Sequence, residues 1–205
     1  MILINCCFSN HEDANNSVNY WLIGLPLIGG LITLIVNLVF KNNQRKADIV
    51  DKLHSDIHAA CDNILFTALQ VNGFNLSKNF FYHKHLLNKG DTYFLSLAVK
   101  HDESMNTMLS RFYNHSSELI TQRYLMKKYL STDITTKMDK LIMEEDDRRV
   151  PFVIKDYTQT FMGVTSDATL NNIFLAEQVA ITKHVYENST GKRIDEIRRL
   201  IASDV

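Results

Sequence analysis

The sequence predicts an all-α fold, in which a single N-terminal transmembrane helix continues into a cytosolic helical bundle. Three observations predict this fold class. Residues 20–40 are apolar and carry no charge. After them, apolar residues recur every three or four positions, which is the spacing of an amphipathic helix. The 205 residues include only two prolines and seven glycines, a composition typical of helices rather than of a turn-rich β fold.

The apolar run from Tyr20 to Phe40 is long enough to cross a bilayer. It reads YWLIGLPLIGGLITLIVNLVF, and at about 1.5 Å rise per residue it matches the roughly 30 Å of a bilayer's hydrocarbon core. A signal peptide needs a basic start and a small-residue cleavage site, but no Lys or Arg precedes Lys41 and no such site follows the run. An apolar surface on every side argues against a buried core helix in a chain this small.

The charges around this run predict its orientation. All 22 Lys and Arg residues follow it, beginning with Lys41. Because positively charged flanks stay in the cytoplasm, we expect three parts in an inner (cytoplasmic) membrane protein. These are a short extracytoplasmic tail (1–19), the transmembrane helix (20–40) and a cytosolic helical domain (41–205). Cys6 and Cys7 in the tail are disulfide-bonded, acylated or incidental thiols.

The apolar periodicity of the remaining chain predicts a succession of helices whose ends are set by glycine, proline and capping residues. We expect the membrane helix to extend to about Val71, where Asn72 and Gly73 stop it, and a short helix to follow, capped by Ser77 and ended by Gly90. Next we expect a helix opened by Asp91, a helix from about Glu103 to Leu130, and a short helix around Met138 that is closed by Pro151. The last two predicted helices are one capped within residues 165–167 and one after Gly191.

The apolar run carries a stripe of small and polar residues on one helical face. Pro26, Gly30, Thr33 and Asn37 follow one another at spacings of four, three and four, and Lys41 continues the face beyond the run. Small and polar residues in a membrane helix favour close contact with another helix. Alternatively, several copies form a ring with this stripe facing the lumen. The second interpretation requires a homo-oligomer in the lipid bilayer, with these five residues lining a pore.

Arg111 and His115 are the candidate catalytic pair. In a helix they lie about 40° apart on one face. An imidazole can move a proton from a ribose hydroxyl, and a guanidinium can stabilise the charge that develops on a phosphate, so the pair suits metal-independent RNA cleavage. The other interpretation is an arginine and a histidine on a solvated or interfacial helix face. With a net charge of −1, the chain as a whole has no bulk electrostatic attraction for nucleic acid.

The sequence predicts no metal site and no cofactor. His54, His58, Cys61 and Asp62 share one side of a helix at a spacing that two zinc ligands use. No second pair of ligands accompanies them, so we interpret the histidines as boundary residues of an amphipathic helix. The chain also lacks the motifs of phosphate-binding loops, nucleophile elbows and dinucleotide-binding turns.

One N-terminal span, about 165 helical residues after it and the Arg111/His115 pair together resemble the small membrane accessory proteins of type VI-B CRISPR systems. That resemblance implies a divergent HEPN-like helical domain, assembly into a membrane pore that strengthens phage defence, and work beside an RNA-guided effector nuclease or its RNA products. HEPN nucleases separate their arginine and histidine by four residues, whereas three separate Arg111 from His115. The resemblance therefore implies a degenerate, structural pair rather than an active nuclease.

Three functions follow from these observations. The first is a non-enzymatic oligomeric pore that permeabilises or depolarises the membrane in antiviral defence. The second is a membrane-anchored, metal-independent RNase that uses Arg111 and His115. The third is a membrane-tethered adaptor or sensor whose helical bundle binds a protein partner.

Overall fold

The computed structural model describes the backbone of residues 14–142 and 154–203, and the side chains of residues 29–142 and 154–203. Within these residues every regular element is a helix and none is a strand, so the predicted all-α class is confirmed. The elements are α1 (Ala14–Leu87), α2 (Thr92–Tyr129), α3 (Thr132–Ile142), a short 3₁₀ turn (Gln159–Phe161), α4 (Asp167–Glu187) and α5 (Ser189–Ala202). Cys6, Cys7 and the closing residue Pro151 lie outside the described residues.

The chain divides into two compact units, Met1–Ile49 and Val50–Val205. In the first unit, every described side chain from Gly29 to Ile49 is exposed to solvent. Among the side chains that the structure describes, no helix is both long and apolar enough to cross a membrane. The first nine residues of the predicted span, Tyr20–Ile28, are described as helical backbone only.

The second unit has a hydrophobic core to which all five helices contribute. From α1, the core takes residues spaced three and four apart, because these lie on one face of a helix. Phe80 of α1 contacts Phe174 of α4 at a ring distance of 4.2 Å. Helices α2, α3 and α5 add apolar stripes of their own, and Tyr157 and Phe161 from the segment before α4 are fully buried. Along α2, Phe112, Leu119 and Met126 are buried.

The predicted break at Asn72 and Gly73 is wrong, because α1 continues to Leu87. Asn72 is fully buried; its side-chain NH₂ donates to the carbonyl of Ala68 and its oxygen accepts from the backbone N–H of Lys155. A tertiary partner thus satisfies the amide that would otherwise compete with helical hydrogen bonds. Ser77, which was expected to cap a separate helix, lies inside α1.

The predicted boundary near Glu103 is also wrong, since α2 runs from Thr92 to Tyr129 without interruption. Two polar residues just before Glu103 have partners on α1. The ring of His101 stacks on Phe81 at 5.3 Å, and Asp102 accepts a hydrogen bond from Lys78 at 2.7 Å. A polar patch in the middle of α2 therefore serves packing between helices.

Two predicted caps are confirmed and one boundary is shifted. The side chain of Asp91 accepts from the backbone N–H of Tyr93 at the start of α2, and Ser166 accepts from Thr169 at the start of α4. The reversal between α1 and α2 uses left-handed backbone at Gly90, with φ of 87°. The division between α4 and α5 falls at Asn188, which caps α5, whereas Gly191 lies inside the first turn of α5.

Candidate functional site

Arg111 and His115 lie on α2 beside its buried stripe. Phe112 and Ser116, each one residue further along, are fully buried and fix the rotation of the helix. Arg111 is exposed, and the side chain of His115 retains 24% of its accessible surface. The predicted pair therefore shares one edge of the helix and faces solvent. Arg111 makes no ion pair within the described residues.

Glu118 orients the imidazole of His115. Its Oε2 lies 3.0 Å from His115 Nδ1, one turn along the same helix. A carboxylate only accepts hydrogen bonds, so in the neutral imidazole this contact places the proton on Nδ1 and leaves Nε2 as an acceptor. Glu118 was not predicted from the sequence; its three-residue spacing from His115 was the signal that could have identified it.

A cleft of about 310 Å³ lies between α1 and α2 beside Glu118. Its walls come from Asp56, Ala59, Ala60 and Asn63 of α1 and from Glu118 and Gln122 of α2. The two carboxylates give the cleft a negative potential, and none of its described lining residues is a lysine or an arginine. Such a cleft repels a phosphate group rather than binding it.

Two of the four candidate zinc residues on α1, Cys61 and Asp62, have contacts that suit a role in the fold. Cys61 is fully buried, and burial raises the pKa of its thiol to about 12, so the thiolate that a metal needs is disfavoured. Asp62 forms an ion pair with Arg198 of α5. Within the described residues, no group of three His, Cys, Asp or Glu side chains is placed to hold a metal ion.

Three asparagines of α1 attach the segment before α4 to the core, and their role as a group was not predicted from the sequence. Asn72 accepts from the backbone N–H of Lys155 at 2.9 Å, and Asn75 donates to the carbonyl of the same residue at 2.8 Å. Asn79 donates to the carbonyl of Asn75 at 2.8 Å and meets the hydroxyl of Thr158 at 3.5 Å. We call Asn72, Asn75 and Asn79 the asparagine ladder.

Lys155 is the centre of a polar cluster next to this ladder. Its ammonium lies 2.5 Å from Glu177 of α4 and 5.1 Å from the centre of the Tyr157 ring. Burial, followed by the charge of Glu177, raises the pKa of Tyr157 to about 12. Burial and then the charge of Lys155 lower the pKa of His184. The cluster keeps the phenol and the imidazole uncharged, which suits a packing role.

A cavity of about 250 Å³ is bounded by α1, α2 and α4. Gly73 and Phe74 form one wall, Phe174 and Gln178 another, and His101 a third. The imidazole lies between aromatic rings, and desolvation lowers its pKa. The cavity walls are mostly apolar, with uncharged polar groups at the edge.

The predicted pore-lining residues of the first unit lie on one exposed helical face. Gly30, Thr33, Asn37 and Lys41 are all exposed, and the side chain of Pro26 lies outside the described residues. The Thr33 hydroxyl donates to the carbonyl of Gly29 at 2.8 Å. Around the same helix, eight large apolar side chains between Leu31 and Phe40 are 51–65% exposed.

Comparison with known proteins assigns no relatives to the chain. No protein-family model matches it, and no significant match exists among the curated proteins or the solved structures.

Proposed function

We propose that the protein is an oligomeric membrane pore, in which α1 residues 20–40 cross the bilayer and several copies enclose a path for ions. The helical unit Val50–Val205 lies on the cytosolic side, where the lysines and arginines that follow the run remain. The pore permeabilises or depolarises the membrane when it opens. No enzymatic step is required.

The observation that carries this proposal is the apolar surface of the first unit. Leu31, Leu34, Leu38 and Phe40 are each about 60% exposed, and the residues between them are nearly as exposed. Soluble proteins rarely leave a contiguous apolar surface of this kind uncovered. A helix that is apolar on all sides needs lipid or other helices around it. A bilayer that contains further copies of the chain would remove these apolar side chains from water.

The polar stripe gives the pore its lining. Asn37 makes no hydrogen bond within the described residues, and an amide in hydrocarbon without a partner is costly. A water-filled lumen satisfies the amide of Asn37, and the ammonium of Lys41 lies where the run reaches the cytosolic surface. Gly30 leaves space for close helix contacts, whereas the hydroxyl of Thr33 already has a backbone partner.

The biological setting that we propose is antiviral defence, and this part rests on the resemblance to type VI-B CRISPR accessory proteins. In that setting, an RNA-guided effector nuclease or its RNA products provide the signal that opens the pore. The exposed surfaces of the second unit are where such a signal would bind.

Dye leakage from liposomes tests the pore directly. The full chain is purified in detergent, its mass is measured, and it is reconstituted into vesicles that contain a quenched dye. We expect an assembly of several copies and leakage that Asn37→Leu largely abolishes. Val36→Leu is the matched control, because it changes a neighbouring position off the stripe and leaves leakage intact. A monomer, or an oligomer that never releases dye, contradicts the proposal.

A membrane-anchored RNase is the second candidate function, and the contact between His115 and Glu118 favours it. A carboxylate that fixes the tautomer of an imidazole is a common arrangement for a general base. Against it stands the negative charge of the adjacent cleft. The test is cleavage of labelled RNA by the wild type, Arg111→Ala, His115→Ala and Glu118→Gln, with Glu103→Gln as an exposed control on the same helix. No cleavage, or equal cleavage by all five proteins, excludes this function.

A further inference from the structure

Helix α4 has two apolar faces, and only one of them belongs to the core. Leu170, Ile181 and Val185 are buried against the other helices. On the opposite side, Val179 is 83% exposed and Leu175 is 57% exposed. A helix that needs only to cover its own core has one apolar face and one polar face. The second apolar face is therefore a candidate surface for contact with another helix.

The exposed face follows a heptad repeat along the whole helix. It consists of Ala168, Asn172, Leu175, Val179, Thr182 and Tyr186, which are all exposed and alternate at spacings of four and three. We call these six residues the α4 seam. Alternating steps of four and three average 3.5 residues, which is the period of a helix that pairs with another helix. Because α4 has 21 residues, the seam covers three heptads.

We propose that the α4 seam pairs with the same seam of a second copy of this chain, with the two helices parallel and in register. In heptad notation, Asn172, Val179 and Tyr186 occupy the a positions and the other three residues occupy the d positions. A β-branched residue at a, such as Val179, with leucine at d, such as Leu175, favours two parallel strands. An asparagine at a single a position fixes the register, since its amide bonds to its own counterpart.

The residues that flank the seam favour an identical partner over a charged one. The flanking positions on one side hold Thr169, Ala176 and Lys183, and those on the other side hold Asn171 and Gln178 before the buried Val185. Lys183 is the single charge among them. Two copies can therefore face each other without charge repulsion, whereas an acidic peptide or a nucleic acid finds almost no basic residues here.

The size of the seam indicates that it acts together with another contact. Stable complexes use about 20–30 residues per partner, and the seam has six. The affinity of the seam alone is therefore low. The pairing rests on the proposed function, in which assembly of the N-terminal helices holds copies together and raises their local concentration. In that assembly, the seam selects which faces of the second units meet.

Cysteine cross-linking in the full chain tests the pairing. Ala168→Cys and Thr182→Cys are made separately in a Cys6→Ser, Cys7→Ser background; Cys61 stays, because it is buried and its pKa is about 12. The two positions are 14 residues apart, roughly 21 Å along the helix. Parallel pairing in register brings each cysteine to its own counterpart, so we expect both variants to form dimers under mild oxidation. Glu103→Cys on α2 and Lys192→Cys on α5 are exposed controls and remain monomeric on denaturing gels.

The cross-linking and leakage results together distinguish a failure of the pairing from a failure of the proposed pore. Val179→Glu, added to Thr182→Cys, places like charges in the seam and is expected to abolish the cross-link; the fold is retained because Val179 does not contribute to the core. Cross-linking without dye leakage supports the pairing and contradicts the pore. Leakage without cross-linking at either position overturns the pairing.

Equal cross-linking of the two controls also overturns the pairing, since random collision then accounts for the dimers. If neither variant pairs with itself but a mixture of the two cross-links, the helices are not in parallel register, and the proposal fails.

Discussion

At the residue scale, the asparagine ladder shows how side chains can replace secondary structure. The segment from residue 154 to residue 158 has neither helix nor strand to pair its backbone groups. Asn72 and Asn75 supply an acceptor and a donor to Lys155, so both backbone groups of that residue are satisfied. A buried backbone group without a partner costs as much as a lost hydrogen bond. The ladder therefore sets where this segment attaches.

Removal of one ladder side chain is expected to destabilise the second unit. Asn72→Ala leaves the half-buried backbone N–H of Lys155 without its partner, and we expect a loss of about 1–3 kcal/mol in the free energy of unfolding. Urea unfolding followed by circular dichroism in detergent measures the change. Asn63→Ala on the same helix is the control, because Asn63 is exposed. An equal effect of the two substitutions contradicts the role of the ladder.

Two half-buried histidines, His101 and His184, predict that stability decreases in mild acid. Burial lowers the pKa of His101 and of His184 below the ordinary value of 6.5, so the unfolded chain binds protons more readily than the folded protein. The free energy of unfolding is therefore expected to fall as the pH decreases below about 6.5. Asp139, whose pKa is lowered by its hydrogen bond to Arg123, contributes only at more acidic pH.

Urea midpoints between about pH 7.5 and pH 5.5 test this expectation. His101→Phe keeps a ring for stacking on Phe81 and removes one titrating group, so the decline in stability should become shallower. If His101→Phe leaves the pH dependence unchanged, the imidazole of His101 is not one of the groups responsible.

At the scale of elements, the sequence predicted which segments are helical but not all the places where helices end. Periodicity and capping residues identify α2, α4 and α5 because these signals are local: Asp91 and Ser166 satisfy N–H groups within a few residues. The helix through Asn72 and Gly73 could not be predicted in this way, since the partner of Asn72 lies 83 residues further along the chain. Glu118 is a different case, because its partner His115 is only three residues away and the spacing between them is visible in the sequence.

Two glycines in helices are expected to respond oppositely to alanine. A Cβ at Gly73 meets no atom within 4 Å, so Gly73→Ala removes a flexible residue from a helix interior and should stabilise the protein by roughly 0.5–1 kcal/mol. A Cβ at Gly191 lies 2.5 Å from the carbonyl oxygen of Tyr186, a backbone atom, so Gly191→Ala forces α4 and α5 apart and should destabilise it. Thermal unfolding of both variants compares them; shifts in the same direction contradict this account.

At the scale of the whole molecule, the two units satisfy their apolar residues in different ways. The second unit buries its own, including Ile57, Ile64 and Phe112 with no accessible surface. The first unit leaves its apolar residues exposed along the helix. The first unit therefore depends on an environment outside the chain, which is the basis for the proposed membrane assembly.

A single charge in the first unit is expected to lower the fraction of the protein that is recovered with membranes. Aspartate near the centre of a membrane helix costs about 2.5–3.5 kcal/mol of insertion free energy, so Leu31→Asp should reduce the fraction recovered with membranes after carbonate extraction. Phe66→Asp is the matched control, because Phe66 is similarly exposed but belongs to the second unit. If both variants leave the membrane fraction, or neither does, the membrane helix is not at residues 20–40.

The asparagine ladder also has a consequence for synthesis. Lys155 leaves the ribosome 83 residues after Asn72, a delay of about 4–17 s at 5–20 residues per second. During that interval, Asn72 and Asn75 cannot yet bond to the backbone of Lys155. An amide bonds to water as well as to a backbone group, so both side chains can be hydrated until the segment arrives. Attachment of the segment then replaces water at these two amides.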